Sequence, residues 1–189
     1  MKIEPVTPER WPDLVDLFER KGPRGGTPMT HGCYCMAWRK RTGSGRKNKR
    51  NMHRIVNEGR EPGLLAYEDG QAVGWVSVAP REEYGQLVRS RTYRPEDEDE
   101  GVWSIVCFYV DPRAKRKGVA TALLEAAVDH AFEHGASAVE AYPHERGDYM
   151  GWPDGLARLG FQPVRSAGVR TIVRLPRPTR TSGRRRSRR

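Results

Sequence analysis

The chain has 189 residues, 37% apolar and 31% charged, the balance of a soluble domain with a buried core, which excludes a long low-complexity or disordered protein. No apolar run approaches the roughly 20 residues needed to cross a bilayer, and the N-terminus MKIEPVTPERW lacks a signal-peptide core, so no membrane role and a cytoplasmic location are expected. The formal net charge of +10 is concentrated at one end: residues 176–189, PRPTRTSGRRRSRR, hold seven of the 34 basic residues and no acid, leaving 27 basic against 24 acidic residues, about +3, for the rest.

In chain order, Lys2 to Val6 alternates like an edge strand, and Thr7-Pro8-Glu9 opens a helix carrying Trp11, Leu14, Val15, Leu17 and Phe18. Residues 21–32 read as a loop. His31, Cys33 and Cys35 place soft ligands close together but lack a fourth protein ligand at workable spacing, so no metal site is expected there or elsewhere. Three cysteines in a chain without an export signal also argue against a disulfide framework. Residues 39–50 are basic and Gly-rich and are expected to be mobile, with a short helix around Met52, Ile55 and Val56. Leu64 to Glu68 and Ala72 to Val78 flank Asp69-Gly70, a hairpin signal. A polar loop, 94–100, then leads to an apolar strand from Trp103 to Val110.

The segment after that strand is the most informative. Asp111-Pro112 makes a turn, Lys115-Arg116-Lys117 a basic loop, and Gly118 precedes a helix with apolar Val119, Ala122, Leu123, Ala126, Ala127 and Ala131. A helix N-terminus entered through glycine aims unpaired N–H groups and the positive end of the helix dipole at one point, suited to a polyanion such as a pyrophosphate. Neither GxxxxGK[ST] nor GxGxxG is present, which removes the nucleotide P-loop and the dinucleotide fingerprint. The helix stops at His134-Gly135. A strand (Ala138 to Tyr142), a second helical stretch closing in Leu159-Gly160-Phe161, and a C-terminal strand pair follow.

Val110, Pro112, Lys115, Arg116, Lys117, Gly118, Val119 and Ala120 resemble the pyrophosphate loop of the GCN5-related N-acetyltransferases (GNAT), with Lys115 where that family commonly has Arg or Gln. The resemblance covers roughly residues 62–175, and 1–20 more loosely. It implies an α/β (α+β) GNAT fold: a mixed, mostly antiparallel sheet of six to seven strands flanked by helices, in one domain of residues 1–175. It also implies acetyl-CoA as acyl donor, bound by Phe108, Tyr109, Val110, Lys115, Arg116, Lys117, Gly118, Val119, Ala120 and Thr121. The implied activity is transfer of an acetyl group to a primary amine of a small molecule, such as an antibiotic or other natural product. The alternatives are a catalytically weak acyl-CoA-binding protein and a protein or peptide N-acetyltransferase.

Thioester aminolysis needs a deprotonated amine, a donor for the oxygen that becomes negative, and a proton for the departing thiolate. The resemblance implies a backbone N–H near Tyr109 or Val110 as that donor. Its usual helix tyrosine is Leu156 here and its usual strand glutamate is Val106, so Tyr149 or Tyr142 is expected to replace the acid, and Glu82, Glu83, His144 or Glu145 the base. Residues 31–38 are expected to wall the acceptor pocket, with Tyr34, Met36 and Trp38, joined by Trp103, as substrate contacts, unless they are core beneath a long loop. The tail, 176–189, has no apolar side chain with which to dock and is expected to be disordered. It is either an inert solubilising extension or a weak, salt-dependent nucleic-acid contact. A monomer or homodimer is expected.

Overall fold

A computed structural model describes residues 1–28, 30–40, 43–96 and 99–178; most of the basic tail lies outside the described residues. Among the described residues the nine strands are β1 (Lys2–Pro5), β2 (Lys21–Gly22), β3 (Gly25–Pro28), β4 (Gly63–Glu68), β5 (Gln71–Pro80), β6 (Val102–Val110), β7 (Ala138–Ala141), β8 (Gln162–Ala167) and β9 (Arg170–Pro176). The helices are α1 (Trp11–Glu19), α2 (Gly45–Asn57), α3 (Gly85–Val88), α4 (Val119–Glu133) and α5 (Pro153–Arg158). Seven strands form one sheet in the order β1-β4-β5-β6-β7-β9-β8, and β2 and β3 form a separate hairpin. Every pairing in the large sheet is antiparallel except β6 with β7, in agreement with the expected mixed sheet.

Two local expectations are corrected. Residues 21–32 are not wholly loop, because Lys21↔Pro28 and Gly22↔Gly25 pair, with Gly25 and Gly26 at positive φ for the tight turn. The basic segment expected to be mobile is helical from Gly45: α2 buries only Met52, Ile55 and Val56 and turns its lysines and arginines to solvent, so the polar half hides the helical period. Its first turn is anchored where Asn48 Nδ2–H donates to the Gly32 carbonyl at 3.0 Å.

α4 covers one face of the sheet and α1 with α2 the other, giving separate apolar clusters. The helix sits close on β5, since a Cβ on Gly74 would lie 2.6 Å from Val119 Cγ1 and 3.0 Å from Leu123 Cδ1. β6 carries a bulge: Ser77 pairs with Cys107 but Val78 pairs with Ile105, leaving Val106 as the extra residue. The bulge reverses which side chains face which layer. Trp103 and Ile105 before it pack toward α4, as do Phe108 and Val110 after it, while Cys107 and Tyr109 turn to the α1 side.

The turn after β6 is fixed by a buried carboxylate. Asp111 accepts a hydrogen bond from the Arg113 N–H at 2.8 Å and an ion pair from Arg20 Nη1 at 3.0 Å, and Arg20 also donates to the Ala72 carbonyl at 3.0 Å. Burial alone would raise the Asp111 pKa, but the Arg113 N–H and the two guanidinium groups outweigh it and hold it below the ordinary value. Asp111→Asn is therefore expected to lower stability by about 1–3 kcal/mol near neutral pH. Because the native pKa is the depressed one, the carboxylate's contribution is full above about pH 4 and disappears as pH falls through the lowered native value. Urea titrations of both proteins at neutral pH and at about pH 3 check this; the gap between them should narrow at the acidic end.

Candidate active site

β6 and β7 run parallel for only four pairs, Val102↔Ala138 through Ile105↔Ala141. Beyond the bulge they part, and the β7 side of residues 106–110 faces an opening. The Phe108 N–H points into it and is taken by the Tyr149 carbonyl, N···O 2.5 Å. Alternation along the strand turns the Val110 N–H to the same edge and the Tyr109 N–H to β5, so of the two expected donors only Val110 faces the opening, with Phe108 beside it. The segment 148–152 fills the mouth: Asp148 and Gly151 close a tight turn, Met150 is buried, and the Trp152 ring meets Phe108 edge-on at 5.4 Å.

At one end of this opening lies a cavity of about 380 Å³ lined by Val110, Ala114, Lys115, Arg116, Gly118, Val119, Ala120, Thr121 and Trp152. Gly118 is left-handed at φ 79° and directly precedes α4. A Cβ there would meet nothing within 4 Å, so the left-handed backbone rather than lack of space is what favours glycine. Lys115 and Arg116 are exposed and make no ion pair among the described residues. Lys117 instead binds Glu68 at 2.8 Å and does not line the cavity. This cradle, at the positive end of a 15-residue helix, fits a pyrophosphate.

The second cavity, about 340 Å³, lies on the α1 side of β6 and is lined by Phe18, Thr30, Cys33, Cys35, Ala37, Trp38, Cys107, Phe108, Tyr109 and Tyr149. The 31–38 segment does form a wall, through a different set of side chains from the expected one. Tyr34 and Met36 belong to the core beneath it, and the Tyr34 hydroxyl donates to Glu19 at 2.8 Å; of the expected contacts on this segment only Trp38 reaches the cavity. The backbone does not alternate regularly here, with Tyr34 and Cys35 at positive φ, so spacing could not assign faces. Trp103 lies at the far end of β6, roughly 20 Å from Val110, against His130 and His134.

Of the expected acid and base residues, Tyr149 alone lines the cavity. Burial, set against the neighbouring Arg170, raises its pKa, which keeps the phenol protonated near neutral pH. Tyr142 is fully buried, its hydroxyl held by Ser104 at 2.8 Å and Glu140 at 2.9 Å, and burial pushes it well above its ordinary value. Glu140 is in turn held by Arg81 and Arg174, so this group is structural. Glu83 is committed to Arg39 at 2.5 Å, and Glu82 and Glu145 are exposed away from both cavities. His144 accepts the Arg146 N–H at 3.2 Å and is likewise outside them. The lining that sequence reasoning missed is the cysteine trio, whose convergence depends on the Val106 bulge.

A family model described as the acetyltransferase (GNAT) family matches residues 31–148. Three similar solved structures are ribosomal-protein-alanine N-acetyltransferase of Brucella melitensis (15% identity, 92% of this chain and 97% of that one, TM-score 0.55), yncA of Salmonella typhimurium with its cofactor acetyl-CoA (15%, 96% and 96%, 0.56), and paia N-acetyltransferase of Thermoplasma acidophilum in complex with coenzyme A (15%, 93% and 98%, 0.54). At these identities the likeness shows the shared fold. No curated protein sequence matches the chain.

The cavity thiols yield a prediction. Cys35 accepts Trp75 Nε1–H at 2.9 Å, and the neighbouring Cys107 thiol together with burial pushes its pKa well up; burial raises Cys33 as well. Since the thiolate is the reacting form, iodoacetamide near neutral pH should leave Cys35 unlabelled and modify Cys33 much more slowly than a free thiol. Intact-mass measurement with and without denaturant checks this, all three cysteines being labelled rapidly once the chain unfolds.

Proposed function

Because the chain belongs to the acetyltransferase (GNAT) family, we propose that this N-acetyltransferase moves the acetyl group of acetyl-CoA onto a primary amine of a small molecule held between β6 and residues 30–38. The observation that carries this reading is the adjacency of two unlike cavities along the free edge of β6, a basic cradle at Val110 and an apolar chamber at Phe108 and Tyr109. A chamber of about 340 Å³ with aromatic and thiol walls is of the size that takes a small ligand rather than an extended chain.

The donor's thioester supplies an activated acetyl group at the junction of the two cavities. Lys115, Arg116 and the first N–H groups of α4 hold its pyrophosphate end. The N–H groups at Phe108 and Val110 face the place where negative charge develops on the acyl oxygen. Tyr149 carries the proton for the departing sulfur. The described residues lining the chamber include no carboxylate and no imidazole, so the amine loses its proton to water and the protein contributes mainly orientation, on the order of 7–11 kcal/mol in favourable cases. A protein or peptide amine is the alternative acceptor, and acyl-CoA binding with little turnover is the alternative role.

Free-thiol release from acetyl-CoA against aminoglycosides, polyamines, amino acids and lysine peptides separates the three: turnover with a small amine supports the proposal, turnover with peptides alone replaces the acceptor, and binding without turnover removes the enzymatic reading. Gly118→Glu should abolish acetyl-CoA binding by calorimetry, because a side chain at this left-handed position strains the turn that presents the α4 N–H groups and adds a carboxylate beside the cradle that Gly118 lines.

Tyr149→Phe should keep the donor affinity and lower kcat by about 10²–10⁴-fold. By contrast, His144→Ala, Glu82→Gln and Glu83→Gln should leave the pH profile of kcat/KM in place, with the rate rising with pH until the acceptor amine is neutral. A profile whose acidic limb moves in one of those three variants would reinstate that residue as the base.

A further inference from the structure

At the end of α4 remote from Gly118, two histidines one helical turn apart face a glutamate from another element. His130 and His134 project from the last turns of α4, and Glu61 comes from the connection between α2 and β4. Glu61 Oε2 lies 3.6 Å from His130 Nε2 and 3.6 Å from His134 Nε2, and the three ligand atoms all fall within 4.8 Å of one another.

Those separations exceed a direct hydrogen bond. The two carboxylate–imidazole separations are close to the edge of a zinc tetrahedron, about 3.3–3.5 Å for ligand bonds near 2.0–2.2 Å. His130 is only 8% exposed, and its Nε2 is buried without a hydrogen-bond partner. The His134 Nδ1–H donates to the His130 carbonyl at 2.8 Å, since a carbonyl can only accept. In the neutral ring this leaves the Nε2 lone pair directed at Glu61. Trp103 holds both rings from one side, at 5.6 and 5.8 Å. The Glu61 carboxylate and the two imidazole nitrogens thus converge on one point, the buried His130 Nε2 has no hydrogen-bond partner there, and a backbone carbonyl already fixes the His134 imidazole as an outer-shell partner does at metal sites.

We propose that His130, His134 and Glu61 bind a divalent transition-metal ion of the zinc type, with water in the fourth position. Two imidazoles and a carboxylate form a donor set that zinc accepts, and the 48% exposed His134 and 32% exposed Glu61 side chains leave that position open to solvent. The site stands roughly 18 Å along the helix from the phosphate cradle. The ion therefore does not touch the reacting atoms; it ties the Glu61 connection and the start of β4 to the end of α4.

The test uses the full chain, freed of metal with a chelator and titrated with Co²⁺ and Zn²⁺. One Co²⁺ per chain is expected, with tetrahedral or five-coordinate visible bands and no sulfur-to-cobalt charge-transfer band, and Zn²⁺ should displace it. Zn²⁺ should also raise the thermal midpoint of the unaltered chain. His130 is buried, so His130→Ala could fail to fold; the exposed changes His134→Gln and Glu61→Gln carry the test instead. Each should weaken binding by about tenfold or more, the loss that follows even from removing an outer-shell partner, and should abolish the zinc-dependent rise in midpoint. No stoichiometric binding, a charge-transfer band from Cys33, Cys35 or Cys107, or affinity unchanged in both variants would each overturn the proposal.

Discussion

The early parting of β6 and β7 is the constraint on which the site depends. A parallel pair that ends after Ile105↔Ala141 leaves N–H groups of a central strand facing a gap, in the middle of a sheet where such groups would otherwise be satisfied by a neighbour. The Val106 bulge makes that parting usable, because the extra residue moves Cys107 and Tyr109 to one layer and Phe108 and Val110 to the other. Without it, strict alternation would place Cys107 with Ile105 toward α4, and the apolar chamber would lose one wall.

α4 supplies the electrostatic counterpart. Its N-terminus adds partial positive charge beside Lys115 and Arg116, while the buried Asp111 in the turn before them is held by both Arg20 and Arg113. The same residue fastens the end of α1 to the turn leading into the cradle. Chamber and cradle thus share a structural tie: α1 provides Phe18 to the first, and Arg20, just past its end, braces the second.

The sequence was most legible where one short pattern fixes a local geometry. Val110, Pro112 and Gly118 announce strand, turn and helix N-terminus, and Asp69-Gly70 announces the β4–β5 hairpin; both follow from backbone preferences that act within a few residues. Convergence in space was less legible. Tyr34 and Met36 look like pocket residues by composition, but the irregular turn carrying them buries one ring against Trp11 and Phe18 and presents Cys33 and Cys35 instead. Tyr142 looked available as an acid because nothing along the chain reveals that Ser104 and Glu140 hold its hydroxyl. His130 and His134 stand four positions apart with no zinc motif around them, and the third group, Glu61, lies some 70 positions earlier in the chain.

The hydrogen bond from Phe108 to the Tyr149 carbonyl makes the protein its own competitor. A ligand oxygen or amide that takes this N–H must take it from a group tethered to the same fold, whose effective concentration does not change with dilution. The apparent affinity for such a ligand is the intrinsic affinity multiplied by the fraction of molecules in which Tyr149 has already let go. Under the proposed role of the Phe108 N–H, changes in the Gly147–Gly151 turn would tune donor affinity without touching the donor. A turn that releases more readily tightens binding, and a stiffer one weakens it, so selection on this surface segment can set the working concentration range while the cradle stays constant.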